Sequence, residues 1–193
     1  MSRDQPLQDG VVRRWYVQPL VRTRRGFDER LQLAAPGLSR VLSSLAVRAR
    51  AGSRARRVLL GRAICVGFAA NNRGDYASLT ALLSPDIELH VYPDAPEQRA
   101  SDLEPIYWGL EGYVEAGQLL KAGFVDFRWE VRELLDPGGD RIGARVDQVG
   151  LSSLSSVELR MTEFHVWHIV DGLARRQWSL TSEAAMLGLL LER

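Results

Sequence analysis

The feature that most constrains this chain is a change of period. Beyond Pro85 the apolar residues begin to alternate, with Ile87, Leu89 and Val91 set against Glu88, His90 and Tyr92. A period of two marks a strand with one face on a core. The alternation resumes at Phe127 and predicts strands over 127–136, 141–149, 157–170 and 173–181. Pro137-Gly138-Gly139-Asp140 separates the first pair, a serine-rich connection the second, and Asp171-Gly172 the third. Asp-Gly between two apolar runs supplies the positive-φ positions of a tight hairpin turn, which makes the last pair antiparallel.

Before Pro85 the spacing is helical. Ser53 caps a helix running from Arg54 to about Asn72, with Leu60, Ile64, Gly67 and Phe68 on one stripe and Asn71, Asn72 and Gly74 ending it. Asp75 caps a short helix that stops at Ser84-Pro85. A loop from Pro93 to Pro105 is long enough to form a lid, and a helix over 111–122 follows it. A last helix, 183–192, turns Ala185, Met186, Leu189 and Leu190 inward. This order predicts an α+β fold: a curved, mostly antiparallel sheet covered on its concave face by helices, with a pocket where they diverge.

Charge divides the chain. Residues 1–62 hold fourteen arginines against Asp4, Asp9, Asp28 and Glu29, although the whole chain of 193 residues has a net charge of only +1. The reading is a basic, partly helical N-terminal extension over 1–53 and an α+β domain over 54–193. The best helix of the extension lies near 38–50, where Leu38, Val41, Leu42 and Leu45 make an apolar stripe. Docking of that stripe on the acidic domain is the favoured reading, and contact with a membrane surface is the less favoured one. Lys121 is the single lysine among 25 basic residues. So uniform a bias towards arginine reads as genome composition, and no nucleic-acid partner is expected.

Other classes are excluded by count. Cys65 is the only cysteine and forms no internal disulfide. With three scattered histidines it makes no metal site, and no cofactor is expected. No apolar run approaches the roughly 20 residues of a membrane span, and MSRDQPLQDG lacks the apolar stretch of a signal peptide. The expectation is a cytoplasmic protein.

Four stretches resemble the SnoaL-like proteins of the nuclear transport factor 2-like superfamily. They are Asn72-Arg73-Gly74-Asp75-Tyr76 with Leu82 to Glu88; Trp108 to Tyr113; Phe127-Arg128-Trp129-Glu130 running to Gly139-Asp140-Arg141; and His165-Val166-Trp167 ending at Asp171-Gly172. They span about 58–193. The resemblance implies an α+β cone, a pocket for a small hydrophobic molecule, and a homodimer formed through the exposed face of the sheet. It does not fix the activity, because the superfamily contains cyclases, isomerases, hydrolases, dehydratases and domains with no chemistry. The cyclases carry an acidic base after a Trp on the last strand, where this chain reads Trp178-Ser179. The isomerases place a base aspartate at the end of the first strand, where His90-Val91-Tyr92 stands and the first acid is Asp94. The paired carboxylates of the epoxide hydrolases have no counterpart.

The row Met161, Glu163, His165, Trp167, Ile169 shares one strand face and carries the best chemistry. In the resembled family this His and Trp face the interior. His165 and Glu163 are the candidate catalytic pair, a base and the carboxylate that tunes it. His90, Tyr92, Tyr107, Trp108, Trp129, Trp167, Trp178 and Ser179 are the candidate ligand-binding residues, the aromatic ones suited to a flat polycyclic or terpenoid guest. Two functions fit: proton transfer of a cyclase, isomerase or dehydratase type, or a non-catalytic ligand-binding or dimeric interaction module on the same scaffold.

Overall fold

The computed structural model describes residues 12–100, 102–153 and 157–192. Residues 1–11, 101 and 193 and the centre of the serine-rich connection, 154–156, lie outside that set. Seven strands form one open sheet in the order β1-β4-β5-β6-β7-β2-β3. They are β1 (Arg13–Tyr16), β2 (Leu83–Val91), β3 (Ile106–Trp108), β4 (Phe124–Asp136), β5 (Arg141–Ser152), β6 (Glu158–Val170) and β7 (Leu173–Leu180). Every pair is antiparallel except β2 and β7. Register shifts in β2–β7, β4–β5 and β6–β7 mark bulges, which bend strands and increase their twist.

The helices are α1 (Phe27–Ala34), α2 (Pro36–Arg48), α3 (Arg54–Arg56), α4 (Arg62–Asn72), α5 (Tyr76–Thr80), α6 (Gly109–Ala122) and α7 (Glu183–Leu191). A π-helical turn, Arg57–Gly61, joins α3 to α4 and interrupts the single helix expected over 54–72. The sheet has two covered faces. Alternate residues of the long strands, such as Trp129, Val131, Ile142, Ala144 and Trp167, pack with Leu60 and Phe68 of the α4 side. The residues between them, among them Leu135, Val166 and Leu180, pack with Met186 and Leu190 of α7.

The described part of the N-terminal segment, residues 12–53, contributes to the same core. β1 pairs with β4 from Arg13↔Asp136 to Tyr16↔Glu133, and Ala46 of α2 is fully buried. Arg56 is sealed beneath this segment. It faces Asp136, and its Nη1 donates to the carbonyls of Ala46, Val47 and Gly139 at 3.2, 2.6 and 2.9 Å.

The structure corrects the expected docking face of α2. Ser43 and Ala46 point inward, whereas Leu38, Val41 and Leu45 are 48%, 55% and 56% exposed. Small residues face the sheet because the β6–β7 turn needs the room. A Cβ added at Gly172, whose φ is +80°, would come within 2.1 Å of the Arg40 carbonyl oxygen. The loop after β2 is also pinned: Asp94 accepts from the Thr181 and Ser182 backbone at 3.0 to 3.1 Å, at the start of α7.

Candidate functional site

The β6 row delivers Glu163, His165 and Trp167 to the buried face beneath α4. His165 Nε2 lies 3.1 Å from Glu163 Oε2, and both side chains are almost wholly buried. The other carboxylate oxygen of Glu163 accepts from the Tyr92 hydroxyl and from Gln148 Nε2. Burial, and next the neighbouring Glu163 charge, hold the Tyr92 hydroxyl far above its usual pKa, so it remains a donor.

The proton positions on His165 follow from one fixed donor. Trp167 Nε1–H can only donate, and it reaches Gln177 Oε1 at 2.6 Å. Tyr113 donates to the same oxygen at 2.6 Å. Gln177 Oε1 is therefore the acceptor, and its Nε2 donates to His165 Nδ1 at 3.1 Å. Nδ1 carries the lone pair, so Nε2–H points at Glu163. Ser179 Oγ also reaches Nδ1, at 3.2 Å. A carboxylate behind one ring nitrogen and a lone pair at the other is the arrangement of a general base.

Open space lies next to this network. A cavity of about 90 Å³ is walled by Leu60, Ile64 and Phe68 on the helical side and by Ile142, Trp167 and Ala174 on the strands. Tyr113 lines it too, with Gln32 and Ser43 of the first two helices. His165 and Glu163 sit one layer deeper. The Phe68 ring lies edge-on 5.4 Å from His165 and 6.0 Å from Trp167, and Trp167 stacks on His165 at 5.6 Å. These two aromatic rings stand between the cavity and His165.

Of the candidates named from sequence, Glu163, His165, Tyr92, Ser179 and Trp167 meet in one hydrogen-bonded chain. Trp129 is buried nearby, 6.3 Å from Phe68. Four others lie away from it. Tyr107 is buried against Leu89 and Leu103, its hydroxyl accepting from the Glu104 backbone at 3.0 Å. Trp108 is 64% exposed at the end of an edge strand. His90 and Trp178 stack at 5.5 Å on the opposite face of the sheet, because they alternate with Val91 and Ser179, which pair on the inner face. Sequence reasoning missed Gln148, Gln177, Tyr113 and Phe68. Gln177 was within reach, since it lies two residues before Ser179 and shares its face.

No protein-family model and no curated protein matches the chain. Solved structures do. TerC, co-crystallised with polyporic acid, matches with a TM-score of 0.54 and 21% identity over 68% of this chain and 97% of that one. A protein of unknown function from Burkholderia pseudomallei, described as nuclear transport factor 2-like, gives 0.54 and 17% over 68% and 97%. A candidate SnoaL-like polyketide cyclase from Jannaschia gives 0.54 and 13% over 75% and 99%. The chain has the nuclear transport factor 2-like fold. Within that fold the β6 row faces the interior, and with Ser179 after Trp178 the carboxylate against His165 is Glu163. Among the described residues no helix is long and apolar enough to cross a membrane.

Proposed function

We propose that this nuclear transport factor 2-like protein binds a small, mainly apolar molecule in the interior of its cone and moves a proton on it, with His165 as the base. The buried His165–Glu163 contact carries the reading. A neutral imidazole takes a proton at Nδ1, and Glu163 behind it stabilises the imidazolium that forms. Tyr92, Gln148 and His165 together offer the Glu163 carboxylate three donors. Ser179 and Gln177 hold the Nδ1 position until the reacting group arrives. Similarity to proteins described as polyketide cyclases supports the scaffold for such chemistry.

The cavity sets a condition on the guest. About 90 Å³ is less than the roughly 150 Å³ that accommodates benzene. A polycyclic guest therefore requires Phe68 to swing aside, and that movement opens the way to His165. The test is exchange of deuterium into acidic C–H positions of flat aromatic ketones, with binding read separately by calorimetry. His165→Ala should slow exchange by about a hundredfold or more and Glu163→Gln by about tenfold or more, with binding retained. Exchange that is the same in His165→Ala as in the parent would overturn the assignment.

A second reading has its own support. Neither His165 nor Glu163 lines the cavity, as a purely ligand-binding module with a structural polar core would have it. Tight binding of guests, with no exchange or turnover in the parent protein, would decide for it.

A further inference from the structure

α2 serves two surfaces at once. Its inner face carries Ser43, which lines the cavity, and Ala46, which is buried in the core. Its outer face presents Leu38, Val41 and Leu45 at i, i+3 and i+7, each about half exposed. The surrounding sequence is strongly basic: between residues 30 and 74 there are nine arginines and no Asp or Glu. Some are engaged from outside that stretch, Arg56 by Asp136, Arg62 by Asp28, and Arg73 by Glu29 and Asp75. Arg48 in the last turn of α2, and Arg50 and Arg54 just beyond it, face no carboxylate among the described residues.

We propose that α2 docks the protein on an anionic lipid surface, its three aliphatic side chains entering the acyl boundary while Arg48, Arg50 and Arg54 meet headgroup phosphates. An apolar stripe flanked by arginines on a helix too short and too polar to span is the pattern of an interfacial helix. Nucleic acid accounts for the arginines but not for the stripe, because backbone phosphates offer nothing to three aliphatic side chains. A second copy is disfavoured by charge, because α2 and the chain around it offer no Asp or Glu to meet the twin's arginines across an isologous contact. Docking also brings the Ser43 wall of the cavity to the bilayer, where an apolar guest is concentrated. The proposal stands whether or not His165 is a base.

The experiment is cosedimentation of the full chain with vesicles of phosphatidylcholine alone and of phosphatidylcholine with one third phosphatidylglycerol, at low and at high salt. Binding to the anionic vesicles should exceed binding to the neutral ones and weaken as salt rises. The triple variant Leu38→Ser, Val41→Ser, Leu45→Ser should bind at least about tenfold more weakly while staying folded, with only a modest fall in melting temperature because those side chains are already about half solvated. The triple variant Arg48→Glu, Arg50→Glu, Arg54→Glu should lose binding as well, and keeps the test open should the serine variant misfold. Absence of anionic-vesicle binding at low salt, or serine-variant binding equal to the parent's, would overturn the proposal. So would retention on duplex DNA in place of vesicle binding, or a dimer by light scattering that the serine substitutions dissociate.

Discussion

At the scale of single residues, Gln177 decides the state of the site. It takes hydrogen bonds from Trp167 and Tyr113 on one atom and gives one to His165 from the other. Replacing it with Leu keeps the volume roughly constant, leaves the Trp167 N–H without its acceptor and leaves the His165 lone pair to Ser179 alone. Tyr113 can turn its hydroxyl towards the cavity it lines and so escapes part of that cost. An unpaired buried polar group costs about 1–3 kcal/mol, so Gln177→Leu should lower unfolding stability by about 1–3 kcal/mol in urea titration. A loss below about 0.5 kcal/mol would mean that the network does not exist as drawn. Sequence made part of this legible. Glu163, His165 and Trp167 could be placed on one face because a strand alternates without exception between bulges. Gln148 and Tyr113 could not, because each reaches the site from another element, and which rows meet is a property of the pairing order.

At the scale of elements, the least legible part is how the N-terminal helices attach. The hydrophobic stripe of α2 suggested the wrong inward face, because helical periodicity shows that a helix has an apolar side but not that the side is the one in contact. Close approach to Gly172 selected serine and alanine instead. β1 and β3 were missed since four and three residues give too few alternations to read. α1 is attached by charge. Glu29 is buried and accepts from the Gly26 N–H at 2.7 Å and from Arg22 at 2.9 Å, and it also pairs with Arg73. Burial raises the Glu29 pKa, but the Gly26 N–H and then Arg73 and Arg22 outweigh that and leave it below its usual value. Asp75 is depressed further, first by Arg25 at 2.6 Å, which ties the segment before α1 to the cap of α5. A depressed carboxylate contributes stability that is present above its unfolded value of about 4 and fades as pH falls through the folded one. The parent should therefore exceed Glu29→Gln in melting temperature at pH 7, and the gap should shrink steadily towards pH 3. A gap independent of pH would show that the Glu29 charge does not hold α1.

At the scale of the whole molecule, the fold class and the positions of its long strands along the chain were legible because each of those strands carries at least four alternations and ends at a turn signal. The boundary near Ser53 was read from charge, and charge says nothing about contact. Trp15 and Val17 pack against the main core, and the Val17 N–H donates to the Arg132 carbonyl at 3.0 Å. Removing residues 1–53 uncovers the β4 edge, a row of backbone groups open to pairing with another chain. It also takes away the Ala46 and Val47 carbonyls from Arg56, leaving a buried guanidinium with Asp136 and the Gly139 carbonyl. Breaking the surroundings of a buried ion pair costs about 3–5 kcal/mol, and about 2–4 °C accompanies each kcal/mol in a domain of this size. The fragment 54–193 should accordingly melt about 10 °C or more below the full chain, or associate through β4 in light scattering. Equal melting temperatures in a monomeric fragment would instead make the basic segment a removable appendage. In that case the stripe on α2 would belong to an anchor and the cavity wall at Ser43 would be dispensable. The measured temperature thus decides whether the chemistry inside the cone and the basic surface outside it form one cooperative unit.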